Sequence, residues 1–159
     1  MSSLFVPKCL QLCGVPASGK TTWIKKQVWA LGLTVVSTDQ FVEDYARSKG
    51  KTYSEVFDDY MPTAVNLMAE QVVRTRELGH SMIWDQTSTT VESRARKFRM
   101  LPEYDHICVV FETPDTAELS RRLDSRRPGK TIPQEVMEAM IENFQYPTLE
   151  EGFKEIWRV

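Results

Sequence analysis

Gly14-Val15-Pro16-Ala17-Ser18-Gly19-Lys20-Thr21 carries the spacing G-x-x-x-x-G-K-T, and its flanks decide the fold. Ahead of it, Lys8-Cys9-Leu10-Gln11-Leu12-Cys13 is apolar and strand-like. Behind it, Thr22-Trp23-Ile24-Lys25-Lys26-Gln27-Val28-Trp29-Ala30-Leu31 places apolar residues at helical spacing. Strand, glycine-rich loop and helix in that order are the context of a phosphate-binding loop. Gly14 and Gly19 permit backbone angles and close approach that a Cβ forbids. The N–H groups of Gly14 and of residues Ala17, Ser18, Gly19, Lys20, Thr21 and Thr22 can then line one concavity. The helix N-terminus adds partial positive charge to it. In such a cradle Lys20 reaches the β- and γ-phosphates and the Thr21 hydroxyl ligates Mg²⁺. The stretch therefore predicts a site for ATP-type nucleotide with Mg²⁺; an ordinary strand-to-helix turn is the alternative that its flanks disfavour.

The 159 residues suit one domain, spanning 1–159, with a core of its own. With 42% hydrophobic and 26% charged residues, the composition excludes a disordered chain. A formal charge of −2 gives no global attraction to nucleic acid, so any polyanion must meet a local patch. The three cysteines, Cys9, Cys13 and Cys108, lie in apolar runs. Odd in number and without paired C-x-x-C spacing, they indicate buried thiols, not a disulfide framework or zinc site. The N-terminal apolar run is short, and no run approaches the roughly 18 apolar residues of a membrane span. The expected setting is cytoplasmic, without membrane and without an obligate protein partner.

Strand-like runs recur at 33–37, 81–84, 106–111 and, more weakly, 156–159. Helical patterns fall between them, at about 40–49, 53–78 with a break or bend at Pro62, 91–100, 115–126 and 133–144. Arg127-Pro128-Gly129-Lys130 should stop the penultimate helix. This alternation predicts an α/β fold: a parallel sheet of four to five strands, helices on both faces, P-loop kinase-like, with an arginine-bearing lid. Ligands of such sheets bind beyond the carboxyl ends of the strands. The first three strand ends deliver the loop, Asp39 and Asp85 there.

A carboxylate beside the γ-phosphate can orient and deprotonate an acceptor hydroxyl, and Asp39 is the leading candidate. Asp39, or Thr38, equally suits the N-cap of the next helix. Asp85, after Met82-Ile83-Trp84, fits the strand-end acid of P-loop enzymes, a hydrogen-bonding partner of the loop, or a turn carboxylate. Arg122 and Arg126, four residues apart, share a helix face and suit the charge that develops on a transferred phosphoryl group. A lid carrying them would exclude water; a solvated basic face is the plainer reading. For Arg94, Arg96, Lys97 and Arg99 a solvated face is expected. His80 and His106 read as structural, and Trp23, Trp29 and Trp84 as core.

Taken together, Gly14–Thr22, Ser37-Thr38-Asp39-Gln40-Phe41, Ile83-Trp84-Asp85-Gln86-Thr87, Leu119–Arg127 and Pro147-Thr148-Leu149-Glu150-Glu151-Gly152-Phe153 resemble the polynucleotide 5′-hydroxyl kinase family. The resemblance runs from about residue 8 to the end, with the motifs in family order. It implies an ATP-dependent kinase acting on a hydroxyl of DNA or RNA. Lys20, Asp39, Asp85, Arg122 and Arg126 would be its catalytic residues. Asp39 would be the general base, Asp85 would support the acceptor, and Arg122 and Arg126 would be lid arginines that also bind nucleotide. Two departures fall on the acceptor side. Val42 stands where the family often has an arginine for a 3′-phosphate, and Gln86-Thr87-Ser88 replaces an Asn-Thr-Asn-like loop. A related phage-type branch that phosphorylates 5-hydroxymethyluracil in DNA is therefore the close alternative. A small nucleoside or nucleotide kinase and a nucleotide-gated binding module follow.

Overall fold

The computed structural model describes residues 5–126 and 129–159, without the side chains of 28–31. In chain order the elements are β1 (Lys8–Cys13), α1 (Lys20–Leu31), β2 (Thr34–Ser37), α2 (Asp39–Lys49) and α3 (Tyr53–Glu77). There follow β3 (Met82–Asp85), α4 (Val91–Met100), β4 (Asp105–Val110), α5 (Thr116–Asp124), α6 (Gln134–Glu142), a 3-10 turn (Leu149–Glu151) and β5 (Glu155–Arg158). The strands form one parallel sheet in the order β2-β3-β1-β4-β5.

Period-two alternation explains how the sheet is covered on both faces. From β1, Leu10 and Leu12 join Ile83, Ile107 and Val109 on the face that packs Ile24 and Trp23 of α1. Cys9 points the other way, to Val36, Met82 and Trp84 beneath Met68 and Val72 of α3. Cys13 and Cys108, on that same side, meet Phe153 and Phe98. All three cysteines are buried and unbridged, and Trp23 and Trp84 belong to the core as expected. His106 is structural: Gln11 Nε2 donates to its Nδ1 at 3.0 Å and its Nε2 donates to the Leu101 carbonyl at 2.9 Å. Burial lowers its pKa, which keeps the ring neutral for this pair of bonds. His80 is exposed.

Pro62 does not bend the chain out of a helix; α3 runs unbroken for 25 residues. Proline removes one backbone bond, to the carbonyl of Asp58, and both residues are exposed, on the side where water can take the place of a lost helix bond. On the inner side Val56 and Ala64 pack on Val42 and Ala46 of α2, and Tyr45 stacks on Tyr60 at 3.9 Å. Packing at this seam outweighs the one missing bond. The Arg127-Pro128 break lies outside the described residues.

The basic face expected on α4 is half wrong. Arg96 and Arg99 are solvated and paired to Glu92, but Arg94 is fully buried and Lys97 nearly so. Arg94 bonds both oxygens of Glu151, at 2.8 and 3.1 Å, and donates to the Ser88 carbonyl at 2.9 Å. It thus ties the loop after β3 to the turn before β5. Lys97 lies 5.3 Å from the Trp84 ring and donates to the Ser93 carbonyl, and burial lowers its pKa to about 8. Removing one partner of a buried ion pair strands the other charge. Glu151→Ala should accordingly cost about 3–5 kcal/mol, read as a shift in urea midpoint at unchanged slope.

Candidate functional site

The loop after β1 is held from three sides. Gly14 donates its N–H to the Thr87 carbonyl at 2.9 Å, and a Cβ there would meet Ser18 Oγ at 2.6 Å and Phe111 Cβ at 2.9 Å. Ala17 takes a φ of +66° and Gly19 of +104°, so the chain reverses tightly before α1 begins. Ser18 is buried with its hydroxyl unpartnered among the described residues, an orphan of the kind a bound phosphate satisfies. Thr21 and Thr22 stand exposed on the first turn of α1. The Lys20 ammonium closes the loop on itself, donating to the carbonyls of Gly14 at 2.7 Å and Val15 at 2.9 Å. Burial lowers its pKa to about 8 against the opposing pull of Asp85 and Asp39.

Ser37 pairs with Asp85 in register, so the carboxylates that follow β2 and β3 emerge at one level of the sheet. Burial raises the pKa of Asp85, and the Asp39 charge adds to this, while Lys20 and Lys130 oppose it. Asp39 does not cap α2: it is the first residue of that helix, and Thr38 holds the cap position. Its Oδ1 accepts a 2.6 Å hydrogen bond from the Tyr53 hydroxyl, and its Oδ2 lies 3.6 Å from Lys130 Nζ. Lys130 also bonds Glu43 at 2.9 Å and stands 4.6 Å from the Tyr53 ring. Beside this cluster a groove of about 260 Å³ is lined by Tyr53, Lys130, Glu43, Arg47, Lys51 and Thr52, among others.

Arg122 and Arg126 reach the loop side. Arg122 donates from Nη1 to the Ala17 carbonyl at 3.0 Å while its Nε bonds Glu118 at 2.7 Å. The Arg121 and Arg122 bonds pull the Glu118 pKa down to about 2. The charge of Arg126 is felt at both Lys20 and Tyr53, and its Nη1 is buried without a partner among the described residues. The structure therefore gathers Lys20, Asp39, Asp85, Arg122 and Arg126 around one edge of the sheet. Lys130, Tyr53 and Glu43 were not singled out from the sequence. Lys130 follows a glycine in what reads as a helix stop, and Tyr53 opens a long amphipathic helix, so only topology brings them to Asp39.

The departures noted on the acceptor side have structural roles. Val42 is fully buried in the α2–α3 seam. Gln86 accepts from the Trp84 indole, Thr87 holds Gly14, and Ser88 at φ +46° offers its carbonyl to Arg94. For Mg²⁺, the available donors are hard oxygens, the Thr21 hydroxyl with Asp85 nearby, and this fits an ion that takes few protein ligands and keeps phosphate oxygens and waters. Among the described residues no group of three His, Cys, Asp or Glu is built as a metal site of its own.

The fold and this edge define a P-loop kinase-like domain with a nucleotide cradle. The sequence profile of the AAA_33 family, described as AAA domain, matches residues 10–147, and the chain belongs to that family. Comparison with curated protein sequences yields no match. Among solved structures, a candidate kinase from Chloroflexus aurantiacus is 20% identical, with a TM-score of 0.75 over 98% of this chain and 88% of its own. A chain of the Pnkp1/Rnl/Hen1 RNA repair complex is 24% identical, with a TM-score of 0.74 over 91% of this chain and 46% of its own. A gluconokinase from Sinorhizobium meliloti is 17% identical, with a TM-score of 0.58 over 97% and 82%. At these identities the likeness is one of fold. No described helix is long and apolar enough to cross a membrane.

The state of Lys20 gives a direct check on the cradle. Bound phosphates favour its charged form, so its pKa rises from about 8 on nucleotide binding. Below pH 8 the free protein already carries that proton; above it, binding must take one up. Calorimetry in buffers of different ionisation enthalpy should show close to one proton absorbed per ATP near pH 9 and little near pH 7. Lys20→Met should abolish the uptake.

Proposed function

We propose that this chain is an ATP- and Mg²⁺-dependent nucleic-acid kinase that transfers the γ-phosphoryl group to a 5′-hydroxyl end of DNA or RNA. One observation carries the reading. The phosphate cradle with Lys20 and the Asp39 carboxylate stand at the same edge of the sheet, and the Tyr53 and Lys130 side chains that hold Asp39 line a groove. A domain that only bound nucleotide would need the first and not the second. The likeness to a chain from an RNA repair complex supports it.

In this reading the loop amides and Lys20 hold the β- and γ-phosphates, and Arg122 and Arg126 meet the charge that grows on the transferred group. Asp39 orients the acceptor hydroxyl and takes its proton as the new O–P bond forms and the bridge to the β-phosphate breaks. Thr21 and Asp85 would hold Mg²⁺, which supplies neutralising charge to the phosphate oxygens. Half-buried Arg126 forms no ion pair among the described residues and its Nη1 is buried without a partner there, so its guanidinium can turn to phosphate.

A second reading, phosphorylation of 5-hydroxymethyluracil in DNA, is favoured by one feature: Val42 is core, so no arginine projects from that turn of α2. Labelled ATP offered to 5′-hydroxyl DNA, 5′-hydroxyl RNA, hydroxymethyluracil DNA and free nucleosides separates the two; labelling confined to the modified base would replace the first reading with the second. For the favoured acceptor, a 3′-phosphate should improve kcat/KM by less than the roughly 10- to 150-fold that one arginine–phosphate bond supplies. Asp39→Asn should lower turnover by about 10²–10⁴-fold at nearly constant nucleotide affinity. Arg126→Ala should lower it by on the order of 10³-fold, mostly in kcat.

A further inference from the structure

Asp39 and Glu43 lie one turn apart on α2, and at that spacing two like charges face each other along a helix. One ammonium serves both. Lys130 Nζ donates to Glu43 Oε1 at 2.9 Å and stands 3.6 Å from Asp39 Oδ2, with 17% of its side chain exposed. Its third neighbour is the Tyr53 ring, at 4.6 Å, which is packed on the cluster of Val42, Ala46, Val56 and Ala64. We propose that Lys130 is a positioning residue of the reaction: as the counter-ion that Asp39 shares with Glu43, it keeps the base ionised and in place beside the cradle. This inference rests on Asp39 being the base of the proposed reaction.

Lys130 comes from a remote part of the chain, and main-chain contacts on either side of it bring it there. The Gly129 carbonyl accepts from Ser54 N–H at 2.8 Å, and Thr131 N–H donates to Ser54 Oγ at 2.9 Å. Gly129 has a φ of +84°, and a Cβ on it would stand 2.5 Å from Thr52, the N-cap of α3. Only glycine meets both demands. The segment is therefore docked on the first turn of α3 by contacts that do not involve the ammonium. A charge so far out of water is costly unless it is matched, and two carboxylates match this one.

The charges at this edge show why the match matters. Asp85 lies close enough to feel both Asp39 and Lys130. In the proposed reaction Lys20, Arg122 and Arg126 are turned to phosphate. Among the described residues Lys130 is the cation placed for the carboxylates. An arriving polyphosphate adds to the repulsion that Asp39 already meets from Glu43. Without Lys130, Asp39 would escape that repulsion by swinging into water or by taking up a proton. In either case the acceptor hydroxyl loses its base.

A cycle of variants separates this role from a plainer one, in which the Lys130–Glu43 bond only fastens the segment. Lys130→Met, Glu43→Gln and the double variant are compared by kcat on a labelled acceptor and by calorimetric ATP affinity, with melting temperatures as the check on folding. Lys130→Met should lower kcat by about 10- to 100-fold, the loss expected of a displaced base, with ATP affinity nearly constant. Glu43→Gln leaves Lys130 to Asp39 alone and should lower kcat by no more than about threefold. The double variant should recover about fivefold or more over Lys130→Met, because Asp39 no longer faces a like charge. A double variant no faster than Lys130→Met overturns the proposal, as does a Glu43→Gln that loses as much as Lys130→Met. An unchanged kcat in Lys130→Met overturns it too, and so does a loss confined to ATP affinity. Lys130→Gln, which also removes the charge, takes its place in the cycle if the methionine variant does not fold. The same ordering is expected of ATP hydrolysis, with water in place of the alcohol, should no acceptor be labelled. Failure of the base reading shows elsewhere, as an Asp39→Asn protein with normal turnover. Failure of the nucleic-acid reading shows as wild-type protein that labels none of the nucleic-acid acceptors.

Discussion

Gly14 has no room for a side chain. Its α-carbon is wedged between Ser18 Oγ and Phe111, and its amide is tied to Thr87. This contact joins the end of β1, the end of β4 and the loop after β3, so the phosphate cradle is a junction of three strands and not a free loop. Lys20 then folds back onto the carbonyls of Gly14 and Val15. A backbone so constrained can present its amides to a polyanion without being ordered on binding, and that is the advantage of building the site at a strand end.

The same junction is braced from behind. Arg94 holds Ser88 of that loop and, through Glu151, the turn before β5. A charge removed this completely from water must be well bonded, and it is: three of its hydrogen bonds go to Glu151 and the Ser88 carbonyl, and a fourth contact to Cys13 Sγ at 3.7 Å, which together occupy four of its five N–H groups. The C-terminal turn, remote in sequence, thus fixes the loop that carries Gln86 and Thr87 beside the cradle. Around Asp39 the constraint is looser. Asp39 is held by one phenol and one ammonium, both bordering open groove.

Fold class was legible because its signals are local. Short apolar strands alternating with amphipathic helices, and a G-x-x-x-x-G-K-T loop between the first pair, define a parallel P-loop sheet without any knowledge of contacts. The positions of Lys20, Asp39 and Asp85 at one edge followed from the rule that strand ends carry the site. Arg94 and Lys97 were misread because a charge at helical spacing looks the same whether its partner is water, a carboxylate fifty-seven positions away or an indole ring. Pro62 does not break α3, because its lost bond falls on the exposed side while packing at the α2–α3 seam holds the helix together. Tyr53 and Lys130 were invisible for a related reason. Nothing in their own segments distinguishes them, and they reach Asp39 only when α2, α3 and the segment after α5 come together.

The central claim is that a nucleotide's phosphates and a nucleic-acid 5′-end are held at one edge, side by side. A compound joining adenosine to the 5′-oxygen of thymidine through five phosphates spans both positions. Measured by calorimetry, it should bind about a hundredfold or more tighter than adenosine pentaphosphate alone, since the second half binds at high effective concentration. Asp39→Asn should leave the adenosine half unaffected. Equal affinity of the linked compound and its nucleotide half would contradict the account, because the thymidine end would then have no place beside the cradle.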